Sequence, residues 1–135
     1  MWPRRADDGA LADAFLRVKG YASRRGEDVR RLWLNVGCPR VEDDRRSLSG
    51  VEGRRAFAHV MHLPSAVCVA RGAAALPLQV KLGLLVHEVG HLIGGPGEDD
   101  ADIAALEVLG LRVEYFGPLR LERLRREDVR KVMGW

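Results

Sequence analysis

The sequence predicts an α+β domain, and three observations carry that expectation. Apolar residues recur at helical spacing near both ends of the chain, alternate in the middle, and are separated by Gly and Pro breaks. A length of 135 residues and a hydrophobic content of 47% suit one domain, residues 1–135, with a modest core. The order of segments is an N-terminal helix, a small three-stranded sheet, a central apolar helix, an antiparallel second helix and a C-terminal helix.

Asp7 or Asp8 can cap a first helix running to about Ser23, with Leu11, Ala14, Phe15, Val18 and Tyr21 or Ala22 on one face and Gly26 beyond its end. Val29 to Val36 reads as a strand, with Leu32, Leu34 and Val36 opposite Arg31, Trp33 and Asn35. Gly37 to Arg55 is dense in charge and turn formers and reads as a loop. Phe57 to Leu63 and Ala66 to Ala70 alternate again, joined by a turn at Pro64-Ser65, before Arg71-Gly72 breaks the pattern.

Leu76 to Val86 leads into a helix, with Pro77 suited to its first turn and Gly94-Gly95-Pro96 as its stop. It is apolar nearly all round, as a buried helix is. A second helix is expected from about Glu98 to Leu109, ended by Gly110. Leu111 to Phe116 reads as a short strand ended by Gly117-Pro118. Leu119 to Met133 reads as a final amphipathic helix with Leu121, Leu124, Val129 and Val132 inward.

Composition narrows the function classes. The net charge of +3 is too small by itself to imply a nucleic-acid partner. Arg pairs such as Arg24-Arg25, Arg30-Arg31, Arg45-Arg46 and Arg54-Arg55 alternate with acids and read as a solvated surface. Cys38 and Cys68 form no CxxC pair, so no disulfide framework is expected. The N-terminal residues are followed by no signal-like apolar core, and no apolar run approaches the roughly 20 residues of a membrane span. A cytoplasmic protein without membrane partners is the expectation.

The chemistry lies in His87-Glu88-Val89-Gly90-His91, an HExxH unit inside the apolar helix. A spacing of four gives about 6 Å of rise and about 40° of rotation, so both imidazoles leave one helix face, as two nitrogen ligands of one Zn²⁺ must. Glu88 stands beside that face, where a carboxylate can act as general base toward a zinc-activated water. A catalytic zinc needs a third protein ligand. A tight turn after Gly94 would place Glu98 level with His91 and Asp102 level with His87, so that Glu98 reaches the metal and Asp102 accepts the spare N–H of His87. Asp102, Asp100 and Asp99 are alternatives as third ligand, and helix N-terminal capping is the competing role for these acids.

HEVGH followed by Glu98-x-x-Ala101-Asp102 resembles the gluzincin metallopeptidases, and residues 76–109 resemble the ImmA/IrrE-like peptidases in particular. The resemblance implies a minimal zincin-like fold, zinc bound by His87, His91 and Glu98, Glu88 as general base, and Asp102 orienting a histidine. The chain departs from that family in a very short connection between the motifs and in lacking a recognisable transition-state stabiliser. The metzincin pattern also continues through His91-Leu92-Ile93-Gly94, but Gly97 stands where its third ligand belongs.

Weaker candidates surround this centre. His59 and His62, three apart in a strand, point to opposite faces, and His59 can contact substrate. Tyr115 or Arg112 can donate to a developing oxyanion. Either Phe57 to Leu63 or Ala66 to Ala70 can pair with an extended substrate, whichever strand is at the edge. The expected function is therefore zinc-dependent hydrolysis of peptide bonds in a protein or peptide substrate. Its rivals are a catalytically inactive zinc-binding module acting in protein or nucleic-acid interaction, and a hydrolase of non-peptide amides.

Overall fold

In the computed structural model the described residues are 3–37, 58–62, 65–117 and 121–135, with the side chains of 3–8 and 58–62 left aside. The chain runs α1 (Pro3–Arg24), β1 (Trp33–Val36), β2 (Ala58–His62), β3 (Ser65–Val69), a 3₁₀ turn (Arg71–Ala75), α2 (Leu78–Gly94), α3 (Glu98–Glu107), β4 (Val113–Phe116), β5 (Leu121–Leu124) and α4 (Arg126–Met133). The α+β class holds. No described helix is long and apolar enough to cross a membrane.

The first helix buries the face its spacing predicts: Leu11, Ala14, Phe15, Val18 and Ala22 are all in the core, with Tyr21 packed at its margin. It begins at Pro3, ahead of the expected Asp7 or Asp8 start; capping by those side chains lies outside what is described. The first strand is shorter than expected, yet it keeps the predicted alternation, with Trp33 and Asn35 exposed and Leu34 and Val36 half-buried. The segment 38–57, most of the predicted loop, is outside the described residues, as are Cys38, Pro64 and Pro118.

Strand order is β1-β3-β2, with β1 parallel and β2 antiparallel to β3. The central place of β3 explains its composition. Ala66, Val67, Cys68 and Val69 are all buried, whichever face they point to, in a strand enclosed between two others and packed against α2. It also removes Ala66 to Ala70 from the two substrate-pairing candidates, because a central strand has both edges occupied. The remaining candidate, β2, is an outer strand among the described residues and packs beside α2.

A second sheet corrects the sequence reading. Leu119 to Met133 is not one helix: Leu121–Leu124 pairs antiparallel with Val113–Phe116, and the helix starts only at Arg126. Leu121 and Leu124 fit a helical stripe equally well, which is why periodicity misassigned them. Pairing Val113 with Leu124 and Phe116 with Leu121 decides for the strand, and Gly117, at φ 72°, takes a backbone conformation that favours glycine. Glu114 and Arg123 face each other across the hairpin as an ion pair.

Glycines at 83, 90 and 94 let neighbouring elements touch α2. At Gly83 any Cβ would collide with the backbone of Arg123 and Leu124 in β5, and at Gly90 with the Ala101 carbonyl of α3. These contacts bring the acids of α3 and β5 up to the histidine face. Gly83→Ala and Gly90→Ala should each lower unfolding free energy by about 1–3 kcal/mol through overpacking. Gly9→Ala on open α1 surface should raise it by about 0.4–1 kcal/mol. Urea denaturation of the three variants checks the contrast, and a stable Gly90→Ala would contradict the close approach.

Candidate metal centre

His87, Glu88 and His91 come together as the motif predicts, all buried on α2 and close enough for their donor atoms to share one metal ion. Four residues of spacing on a buried helix place the two rings edge to face with centroids 4.7 Å apart. Glu98 opens α3 and reaches both rings, with Oε2 at 3.2 Å from His87 Nε2 and Oε1 at 3.1 Å from His91 Nε2. The expectation placed it level with His91; it spans the pair. Its side chain is 66% exposed.

The far side of each ring is also occupied. His87 Nδ1 lies 3.0 Å from Asp102 Oδ1, the partner the sequence assigned to it. His91 Nδ1 lies 3.0 Å from the carbonyl of Gly95, the residue that ends α2 at φ 132°. A carboxylate and a carbonyl only accept, so each Nδ1 carries the proton and donates. A neutral imidazole then has a bare Nε2, yet each Nε2 faces a Glu98 oxygen, another acceptor.

That arrangement is a test of whether the donors suit a metal. Protonating both rings would place two cations side by side in a buried site. A single divalent cation between the Nε2 atoms and the Glu98 carboxylate satisfies every atom at once. The donor set, two imidazoles and a carboxylate, is one that catalytic zinc uses. The Nδ1 contacts are the usual outer partners of metal-bound histidine.

Tyr115 and Glu122 complete the surroundings. The Tyr115 hydroxyl donates to Asp102 Oδ2 at 3.1 Å and stands 3.5 Å from His87 Nδ1, so it braces the back of His87. Burial beside Asp102 pushes its pKa up, which keeps the phenol protonated and able to donate. Arg112 is exposed and its backbone N–H donates to Asp128; among the described residues no hydrogen bond or ion pair joins it to the centre. His59 pairs with Cys68 in the sheet register, but its side chain, like that of His62, is outside what is described. Asp99 and Asp100 sit in the first turn of α3, and Asp100 accepts the Gly97 N–H in the capping role that competed with ligation.

Glu122 escaped the sequence reading. It lies on β5 with Oε1 3.9 Å from His87 Nε2, within a His87-Glu98-Glu122 group at metal-binding spacing. In the segment read as helix it is not among the residues expected to face inward. The available signal was the hairpin: a Val-Glu-Tyr-Phe run, Gly117-Pro118, then Leu119 and Leu121 in alternation.

Electrostatics follow from crowding acids into a buried site. Burial, reinforced by Glu122 and Glu98 against the opposing pull of His87, pushes Glu88 up to about 8. Burial likewise raises Glu122. For His87, burial works against the charged form, but the carboxylates of Glu122, Glu88, Glu98 and Asp102 outweigh it and raise the pKa.

Compared with protein-family models, curated proteins and solved structures, the chain matches none. The functional reading therefore rests on the geometry of this site. If Asp102 orients His87 for a metal, Asp102→Asn should weaken metal affinity by about 10–100-fold. Tyr115→Phe should give a smaller loss in the same direction. Competition against a chromogenic chelator measures both, and unchanged affinity in Asp102→Asn would remove its orienting role.

Proposed function

We propose that the chain is a zinc-dependent peptidase in which His87, His91 and Glu98 hold the metal. The observation that carries this reading is the buried Glu88 beside two imidazoles whose Nε2 atoms both face the Glu98 carboxylate. A purely structural metal needs no general base next to it. When bound, zinc polarises a carbonyl and lowers the pKa of water.

The residues of the chain divide the remaining work. Asp102, braced by Tyr115, holds His87 with its proton on Nδ1, and the Gly95 carbonyl does the same for His91, so both Nε2 lone pairs point inward. Glu88 takes a proton from the attacking water as the new C–O bond forms. It returns that proton to the amine as the C–N bond breaks. Burial raises the proton affinity of Glu88 above that of an ordinary carboxylate, which favours the step in which it holds the proton. An extended peptide can pair along the outer strand β2, which lies beside α2.

One observation favours a second reading, a metal-binding module. Glu122 brings a further carboxylate to within 3.9 Å of His87 Nε2, and four protein donors are typical of closed structural sites. Both readings include the metal and differ in turnover. Wild-type protein should bind about one equivalent of Zn²⁺ and cleave unfolded proteins or peptides, while Glu88→Gln should keep the metal and lose about 10²–10⁴-fold in kcat/KM. Zinc binding without cleavage by wild type across such a panel selects the module. Undiminished cleavage by Glu88→Gln removes Glu88 as the base.

A further inference from the structure

The hairpin β4–β5 grips His87 from both sides, and only one of its two contacts is explained by orienting the ring. In the antiparallel register Tyr115 is directly opposite Glu122, which puts both side chains on the same face of the hairpin. Tyr115 reaches the Asp102 side of His87, while Glu122 reaches the Nε2 side, where a metal would sit. Orientation through Nδ1 accounts for the tyrosine. It leaves the glutamate without a task.

Glu122 is also held at a cost. Its side chain is 15% exposed, and among the described residues its ion-pair partner is His87. Its neighbour Arg123 turns away, pairing with Glu114 and lying over the Phe116 ring. A buried carboxylate needs a cation or donors to offset lost hydration. The approach of β5 depends on Gly83, where any side chain would strike the strand backbone, so the placement is built into the packing of the central helix.

The distances at Glu122 suit a shared ion. Donors that each lie about 2.0–2.2 Å from one zinc ion stand roughly 3–4 Å from one another. Glu98 to His87 and His91 is 3.2 and 3.1 Å, and Glu122 to His87 is 3.9 Å. The donor atoms of His87, Glu98 and Glu122 all lie within 4.8 Å of one another, a group that could hold one ion.

We propose that Glu122 is a fourth protein ligand of the metal, joining His87, His91 and Glu98 and tying the β4–β5 hairpin to the two helices. The assignment rests on the metal-centre reading above and extends its ligand set. With Glu122 bound, water enters as a fifth ligand, an expansion that zinc accepts. Glu88 remains outside the coordination shell as the proton carrier.

Metal binding to the full chain tests the assignment without any activity assay. Co²⁺ and Zn²⁺ affinities are measured by chelator competition for wild type, Glu122→Gln and Glu122→His, with thermal unfolding as the folding control. Glu122→Gln should bind more than about 100-fold more weakly, beyond the usual loss of an outer partner. Its Co²⁺ visible bands should intensify as coordination falls from five to four. Glu122→His should recover affinity and shift the bands, because imidazole replaces carboxylate on the ion. Wild-type affinity and spectrum in folded Glu122→Gln overturn the fourth ligand and leave the peptidase reading standing, whereas a wild type that binds no metal overturns both. Should the variants not fold, the assigned Glu122 carboxyl carbon of wild type should shift by NMR on adding one equivalent of Zn²⁺; a resonance that stays put overturns the proposal.

Discussion

Two buried imidazoles with hydrogen-bond acceptors at both ring nitrogens are the constraint around which this molecule is organised. Asp102 and the Gly95 carbonyl each take an Nδ1 proton, and the two oxygens of Glu98 face the two Nε2 atoms. Neutral rings cannot donate twice, and two charged rings in contact repel. A cation on the Nε2 side would resolve the conflict, and the donor set could hold one. Nearly every special feature nearby serves either to create the conflict or to hold its parts in register.

The core provides the rigid part. Leu82, Leu85, Val86 and Val89 of α2 pack in one cluster with Leu11, Phe15 and Val18 of α1 and Val67 and Val69 of β3, so the histidine helix is anchored away from its polar face. The glycines provide proximity. Without Cβ atoms at 83 and 90, α2 admits the backbone of β5 on one contact and of α3 on another, and each brings acids to His87. Glu98 and Glu122 differ accordingly: the first is exposed and adjustable at a helix start, the second is largely buried on a strand.

Acid density sets the chemistry of the site apart from a simple two-histidine clip. Glu88, Glu98, Asp102 and Glu122 surround one ring pair; burial, helped by Glu122 and Glu98, raises the proton affinity of Glu88, and the carboxylates outweigh burial to raise that of His87. A divalent cation relieves all four at once. The same crowding is what keeps a structural and a catalytic metal both within reach of the geometry, with Glu88 the residue on which the two part.

The sequence by itself determined the parts that depend on local periodicity. The buried stripe of α1, the helix carrying HExxH with its glycine stop, and the start of α3 at Glu98 all follow from spacing and from terminal residues. So does the meeting of Asp102 with His87, because a short turn leaves two helices few ways to face each other. Tertiary structure alone decided what depends on pairing between distant segments. Leu121–Leu124 satisfies helical and extended patterns equally, and only its partner strand Val113–Phe116 selects the hairpin. That choice turns Glu122 inward and gives Tyr115 to Asp102, while in the other sheet pairing with both β1 and β2 makes β3 central. Spacing along a chain reports which side chains share a face of their own element; it carries no information about which other element that face will meet.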